Sequence, residues 1–100
     1  MPLHLTEDEY KIIQETLSKI LPASTRVYAF GSRVRDIFKP FSDLDLAFDL
    51  DRALSEEEVV KLKDAFDIAP LIFKVDILDL HTIPDSFKKS IEPELVSLFH

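Results

Sequence analysis

One hundred residues carry 12 basic and 19 acidic side chains, a formal net charge of −7, with 46% apolar residues and no cysteine. That apolar content excludes a disordered chain, the negative balance disfavours stable binding to phosphate backbones, and the missing thiols exclude disulfides and thiolate metal sites. A chain this long suits a single domain over residues 1–100, burying roughly 60–70% of the surface it exposes unfolded.

The N-terminal "MPLHLTEDEYK" has neither a basic flank nor a long apolar run, and no apolar stretch approaches the ~20 residues of a membrane span. The expectation is a soluble, cytoplasmic protein with no membrane partner and no stable nucleic-acid partner.

In chain order, "LTEDEYKIIQETLSKIL" opens on Thr6 with Glu9 three residues later, the pairing of a capping box. Tyr10, Ile13, Leu17, Ile20 and Leu21 then form one helical stripe, and Pro22 marks its end. "TRVYAF", residues 25–30, is β-branched and aromatic and reads as a strand stopped by Gly31, the only glycine in the chain. "SRVRDIFK" has helical character, with Val34, Ile37 and Phe38 on one side and Lys39-Pro40 closing it.

"SDLDLAFDL", residues 42–50, sets Leu44, Leu46, Phe48 and Leu50 against Asp43, Asp45, Ala47 and Asp49. Period two means a strand with one apolar and one acidic face. "SEEEVVKLKDAFDI" repeats the capping logic with Ser55 and Glu58, buries Val59, Leu62 and Phe66, and ends at Pro70. Residues 71–80, "LIFKVDILDL", make a third strand with Lys74, Asp76 and Leu78 opposite Phe73, Val75 and Ile77. A short helix follows Pro84, and a second turn or helix lies near Glu94 where Pro93 interrupts. The order is α-β-α-β-α-β-α. It predicts an α/β (α+β) fold with a small sheet of about three strands flanked by helices.

The chemistry-bearing residues cluster around the glycine. A strand ending in Gly31-Ser32 and opening a helix exposes backbone amides that attract an anion, and glycine lets a phosphate approach the chain closely. Ser32 adds a hydroxyl, and Arg33 and Arg35 are candidates to clamp the same charge. The ordinary reading is a turn glycine and an N-cap serine.

Asp43 and Asp45 share a strand face at about 6–7 Å, where two carboxylates repel unless a cation lies between them. Mg²⁺ takes such oxygen ligands and leaves positions for substrate phosphates; the plain alternative is a solvated strand edge. Asp76 sits within an apolar stretch, where a carboxylate is costly to bury without a partner, and it would complete a three-carboxylate site if its strand lies beside the first. Its rivals are a salt bridge to Lys74 and the use of Asp79 instead, which is nearer the strand end and expected to be exposed.

Gly31-Ser32, ten residues, Asp43-x-Asp45 and a later strand aspartate together resemble the nucleotidyltransferase superfamily that includes DNA polymerase β and kanamycin nucleotidyltransferase. The compact length and the tail "VDILDL…IPDSFKKSIEPELVSLF" look like the minimal nucleotidyltransferase (MNT) proteins. The resemblance spans nearly the whole chain. It implies the nucleotidyltransferase fold, a mixed sheet with helices, with Asp43, Asp45 and Asp76 as catalytic ligands of two Mg²⁺ ions and Gly31, Ser32 and a basic residue at Arg33 beside the phosphates of ATP. It further implies an antitoxin that moves AMP from ATP to a tyrosine of a HEPN-domain RNase toxin. Where the family often reads Gly-Ser-x-Ala-Arg-Gly, this chain reads "GSRVRDIF", with Val34 and Asp36 as the departures.

A non-catalytic antitoxin that silences its toxin by covering it is the alternative. Transfer to a small molecule or to RNA ranks last, and assembly with like or unlike chains stays open. His4, His81 and His100 lack ligand spacing, Tyr10 and Tyr28 read as packing residues, and Lys88 and Lys89 as a solvated helix face. Leu95, Leu98 and Phe99 either dock on the core or face a partner.

Overall fold

The computed structural model describes residues 4–34, 39 and 41–99. Its first helix, α1 (Glu7–Ser18), starts where the capping box places it. Thr6 Oγ1 accepts from the Glu9 amide, and the Glu9 carboxylate accepts from the Thr6 amide. Two amides that the first turn leaves without a partner are thereby satisfied. The helix ends before Pro22, as the Ile20 and Leu21 amides both bond back to the Leu17 carbonyl.

β1 (Arg26–Phe30) runs into Gly31 and a three-residue 3-10 turn, Ser32–Val34. The longer helix expected here is seen only as that turn among the described residues; Arg35, Asp36, Ile37, Phe38 and Pro40 lie outside them. β2 (Leu44–Asp49) follows, then α2 (Glu56–Ile68), capped reciprocally by Ser55 and Glu58. α2 stops at Ala69, whose ψ of 144° is the extended backbone a following proline imposes. β3 (Val75–Asp79), α3 (Asp85–Ile91), a second 3-10 turn (Glu92–Glu94) and β4 (Val96–Leu98) complete the chain.

The sheet is mixed, as expected, but has four strands in the order β3-β2-β1-β4. The turn expected near Glu94 is present as Glu92–Glu94, and β4 just after it is the strand that the α-β-α-β-α-β-α order did not include. It pairs antiparallel with β1, Val27 opposite Leu98 and Ala29 opposite Val96. This also settles the C-terminal segment: Leu98 is 2% exposed in the core, and the Phe99 ring packs 4.9 Å from that of Tyr10. β1 and β2 are antiparallel, whereas β2 and β3 are parallel and need the crossover that α2 provides.

The two sheet faces are covered differently. Val27, Ala29, Leu44, Leu46, Phe48 and Leu98 form one core with Ile13, Leu17 and Leu21 of the α1 region and Leu62 and Phe66 of α2. On the other face a smaller cluster joins Ala47, Leu80 and Ile91, with Tyr28, Phe30, Leu78, Ile83 and Leu95 against it. That second cluster qualifies the expectation of an acidic face for β2. Ala47 is fully buried there, and the acidic character is confined to the strand ends.

Candidate active site

Parallel pairing starts β2 and β3 at the same end of the sheet, and antiparallel pairing makes β1 finish there. Asp45 is the register partner of Asp76 on one side and of Phe30 on the other. Directly opposed residues of neighbouring strands point to the same face, so Asp45 and Asp76 stand side by side, with strands about 4.8 Å apart. Their face is that of Ala47 and Leu78, opposite the main core. Asp43 immediately precedes β2, two residues before Asp45. Asp45 is half-buried; Asp43 and Asp76 are exposed.

Gly31 meets this group directly. Its φ is +82°, a left-handed conformation that side chains other than glycine's adopt at a cost. A Cβ at this position would lie 2.1 Å from Asp45 Oδ2, so the carboxylate rests in a hollow that any other residue would fill. The chain's only glycine is thus required twice, by the turn and by the aspartate above it.

The expected rivals for Asp76 fall away. Among the described residues no ion pair joins it to Lys74. Asp79 is half-buried rather than exposed and is engaged at the far end of β3. Its carboxylate accepts from the Leu54 amide at 2.7 Å and the His81 amide at 2.9 Å, fastening the loop before α2. His81 turns its ring to the Leu50 carbonyl and to Asp49, away from the aspartate group.

Arg33 requires a correction. It is 2% exposed, its Nε donates to the Ser42 carbonyl at 3.0 Å, and its Nη1 donates to the His4 carbonyl at 2.9 Å. Its guanidinium lies 4.0 Å over the Phe73 ring. A side chain so enclosed is no clamp on an incoming phosphate. Burial pushes its pKa below the ordinary value, and the charge of Glu9 opposes that shift. The companion clamp, Arg35, lies outside the described residues. Ser32 is half-buried at the start of the 3-10 turn.

One residue of this group was not legible in the sequence. Glu94 Oε1 accepts from the Gly31 amide at 3.2 Å. The cause is the β1–β4 register, which, continued beyond the last pair, sets residue 94 opposite residue 31. No local pattern signals a contact across 63 positions.

The donors are hard carboxylate oxygens on adjacent strands, the chemistry that suits Mg²⁺. The hollow at Gly31 brings Asp45 against the turn where phosphates are expected. The residues present therefore fit such an ion, although among the described residues no three acidic or imidazole groups form a closed ligand set. Like charges on one face repel, and a divalent cation is what draws them together. Two recesses among the described residues lie elsewhere. One of about 580 Å³ runs between α1 and α2, and one of about 450 Å³ lies beside Pro22 and Arg26; none of the three aspartates lines either.

The comparisons agree with this fold. The family model described as "Polymerase beta, Nucleotidyltransferase" matches residues 11–100. The chain belongs to that family and is a nucleotidyltransferase of the minimal, MNT type. It is 37% identical over 89 residues to the "Probable protein adenylyltransferase MntA" of Haemophilus influenzae (strain ATCC 51907 / DSM 11121 / KW20 / Rd), covering 89% of this chain and 77% of that one. The fold is similar to a solved structure described as "Crystal structure of the toxin-antitoxin with AMP-PNP", with a TM-score of 0.67 and 23% identity over 90% of this chain and 72% of that chain. No helix among the described residues is long and apolar enough to cross a membrane.

Proposed function

We propose that this chain is a cytoplasmic antitoxin that transfers AMP from ATP to a tyrosine of a HEPN-domain toxin. The observation that carries the reading is the register of Asp45 with Asp76, on the sheet face beside Gly31. A relative named as a protein adenylyltransferase and a structural neighbour containing a toxin–antitoxin pair support the acceptor and the partner.

In this reading Asp43, Asp45 and Asp76 hold two Mg²⁺ ions. When bound, these neutralise the triphosphate and align its α-phosphorus for in-line displacement. The Gly31-Ser32 turn receives the distal phosphates, with the Ser32 hydroxyl donating to a phosphate oxygen. Asp76, exposed beside Asp45, takes the proton of the tyrosine hydroxyl. The tyrosine oxygen forms a bond to the α-phosphorus, the bond from that phosphorus to the β-bridging oxygen breaks, and pyrophosphate leaves with the electron pair. The chain's negative charge suits a basic, RNA-handling partner.

The test is incubation with ATP, Mg²⁺ and the toxin, read by mass spectrometry. A toxin mass increased by one AMP supports the reading; no increase at any Mg²⁺ concentration removes it. Silencing by contact alone is favoured by one observation, the Glu94 carboxylate on the Gly31 amide. A chain carrying Asp43→Asn and Asp45→Asn separates the two, since full silencing by that variant makes the transfer dispensable.

A further inference from the structure

We propose that Arg33 is a positioning residue that fixes the Ser42–Asp43 peptide against the Gly31-Ser32 turn. The inference rests on the adenylyl-transfer reading above. Sequence position places Arg33 directly after the turn, and its Nε reaches the carbonyl of the residue directly before Asp43. One buried guanidinium therefore spans the two segments the reaction must hold in register, the phosphate-facing turn and the first metal-binding aspartate.

The other contacts fix the clamp itself. The His4 amide donates to the Arg33 carbonyl and the Arg33 Nη1 to the His4 carbonyl, both at 2.9 Å, so the chain ahead of α1 grips Arg33 from two sides. The Phe73 ring supports the guanidinium plane from β3's approach. Two donors aimed at two carbonyls from one rigid plane are a geometry arginine provides and lysine does not.

The experiment compares wild type, Arg33→Lys and Phe73→Leu. Steady-state transfer to the toxin is measured beside amide hydrogen exchange of the free chain. A positioning role predicts that Arg33→Lys lowers kcat about 10–100-fold with the KM for ATP nearly unchanged. It also predicts exchange faster by tenfold or more at residues 42–45, with the α1 amides unaltered. Phe73→Leu, which keeps the arginine and the core volume nearly intact, moves both readouts the same way by less, and stands in if Arg33→Lys does not fold.

A raised KM for ATP with kcat retained, or full rescue by lysine, overturns the proposal in favour of a phosphate contact. Exchange unchanged at residues 42–45, or faster uniformly along the chain, overturns it in favour of a merely structural cation. If wild type transfers nothing, the adenylyl-transfer reading fails, while the exchange comparison still decides whether Arg33 ties the two segments.

Discussion

On one face of the sheet, Leu44, Leu46 and Phe48 are completely enclosed beneath α1 and α2; on the other, Ala47 alone of the β2 residues is, and Asp45 stands half-open beside Gly31. The same six-residue strand supplies both. Its odd and even positions separate stability from chemistry, so a substitution on one face is felt mainly by one property. The carboxylates are mutually repelling groups kept in place by a core they do not touch, and the enzyme's reactive end is maintained by the opposite side of the sheet.

Five substitutions would break or sharpen that contrast. Asp45→Asn should lower toxin adenylylation by about three orders of magnitude. Its thermal midpoint should stay level or rise, because repulsion from the neighbouring carboxylates is relieved; a large fall in the midpoint would deny the division of labour. Phe48→Ala, at a position with no exposure, should cost about 3–5 kcal/mol in urea unfolding while the fraction that stays folded still transfers AMP. Gly31→Ala acts on both sides at once. Its Cβ displaces the Asp45 carboxylate and the left-handed backbone costs about 1–2 kcal/mol, so transfer should fall at least tenfold with a modest drop in stability.

Glu94→Gln removes an anion from the Gly31 amide, so the KM for ATP should fall a few-fold with kcat held. An unchanged or higher KM would mean that Glu94 does not compete with phosphate. The smallest effect belongs to the N-terminus of α2. There the hydrogen bond from Arg52, reinforced by the Ser55 amide, holds the Glu58 carboxyl down to about 2 from its usual 4.5. A lowered carboxyl pKa adds stability above its unfolded value and loses it as pH falls through the folded one. Urea titrations between about pH 4.5 and 2 should therefore show wild type losing its advantage over Glu58→Gln, with transfer near neutral pH alike in both.

Much of this was readable in the chain because the signals are local. The Thr6–Glu9 and Ser55–Glu58 boxes need only four consecutive residues, and both cap helices as expected. The alternation of β2 and β3 assigned Asp45 and Asp76 to the side away from Leu46 and Ile77, and the parallel register brought that side together. What escaped depends on distant partners. Val96–Leu98 is too short to read as a strand until β1 lies beside it, and Glu94 reaches Gly31 only through that pairing. Arg33 follows a Gly-Ser turn, where a cation suggests an anion in solvent. The carbonyls of His4 and Ser42 and the ring of Phe73 that enclose it come from three separate segments. Ala47 was grouped with the acids by position, yet Leu80 and Ile91, both far along the chain, cover it.

β3 is a border strand, with an open row of amides and carbonyls on the side away from β2. Such a border invites another chain to add itself, and charged side chains are a common deterrent. Asp76 is exposed on this strand among Val75, Ile77 and Leu78. The carboxylate proposed to receive a proton thus also discourages sheet-to-sheet aggregation. Asp76→Val would silence the chemistry and, in the same stroke, leave four consecutive residues of sticky, uncharged margin between Lys74 and Asp79.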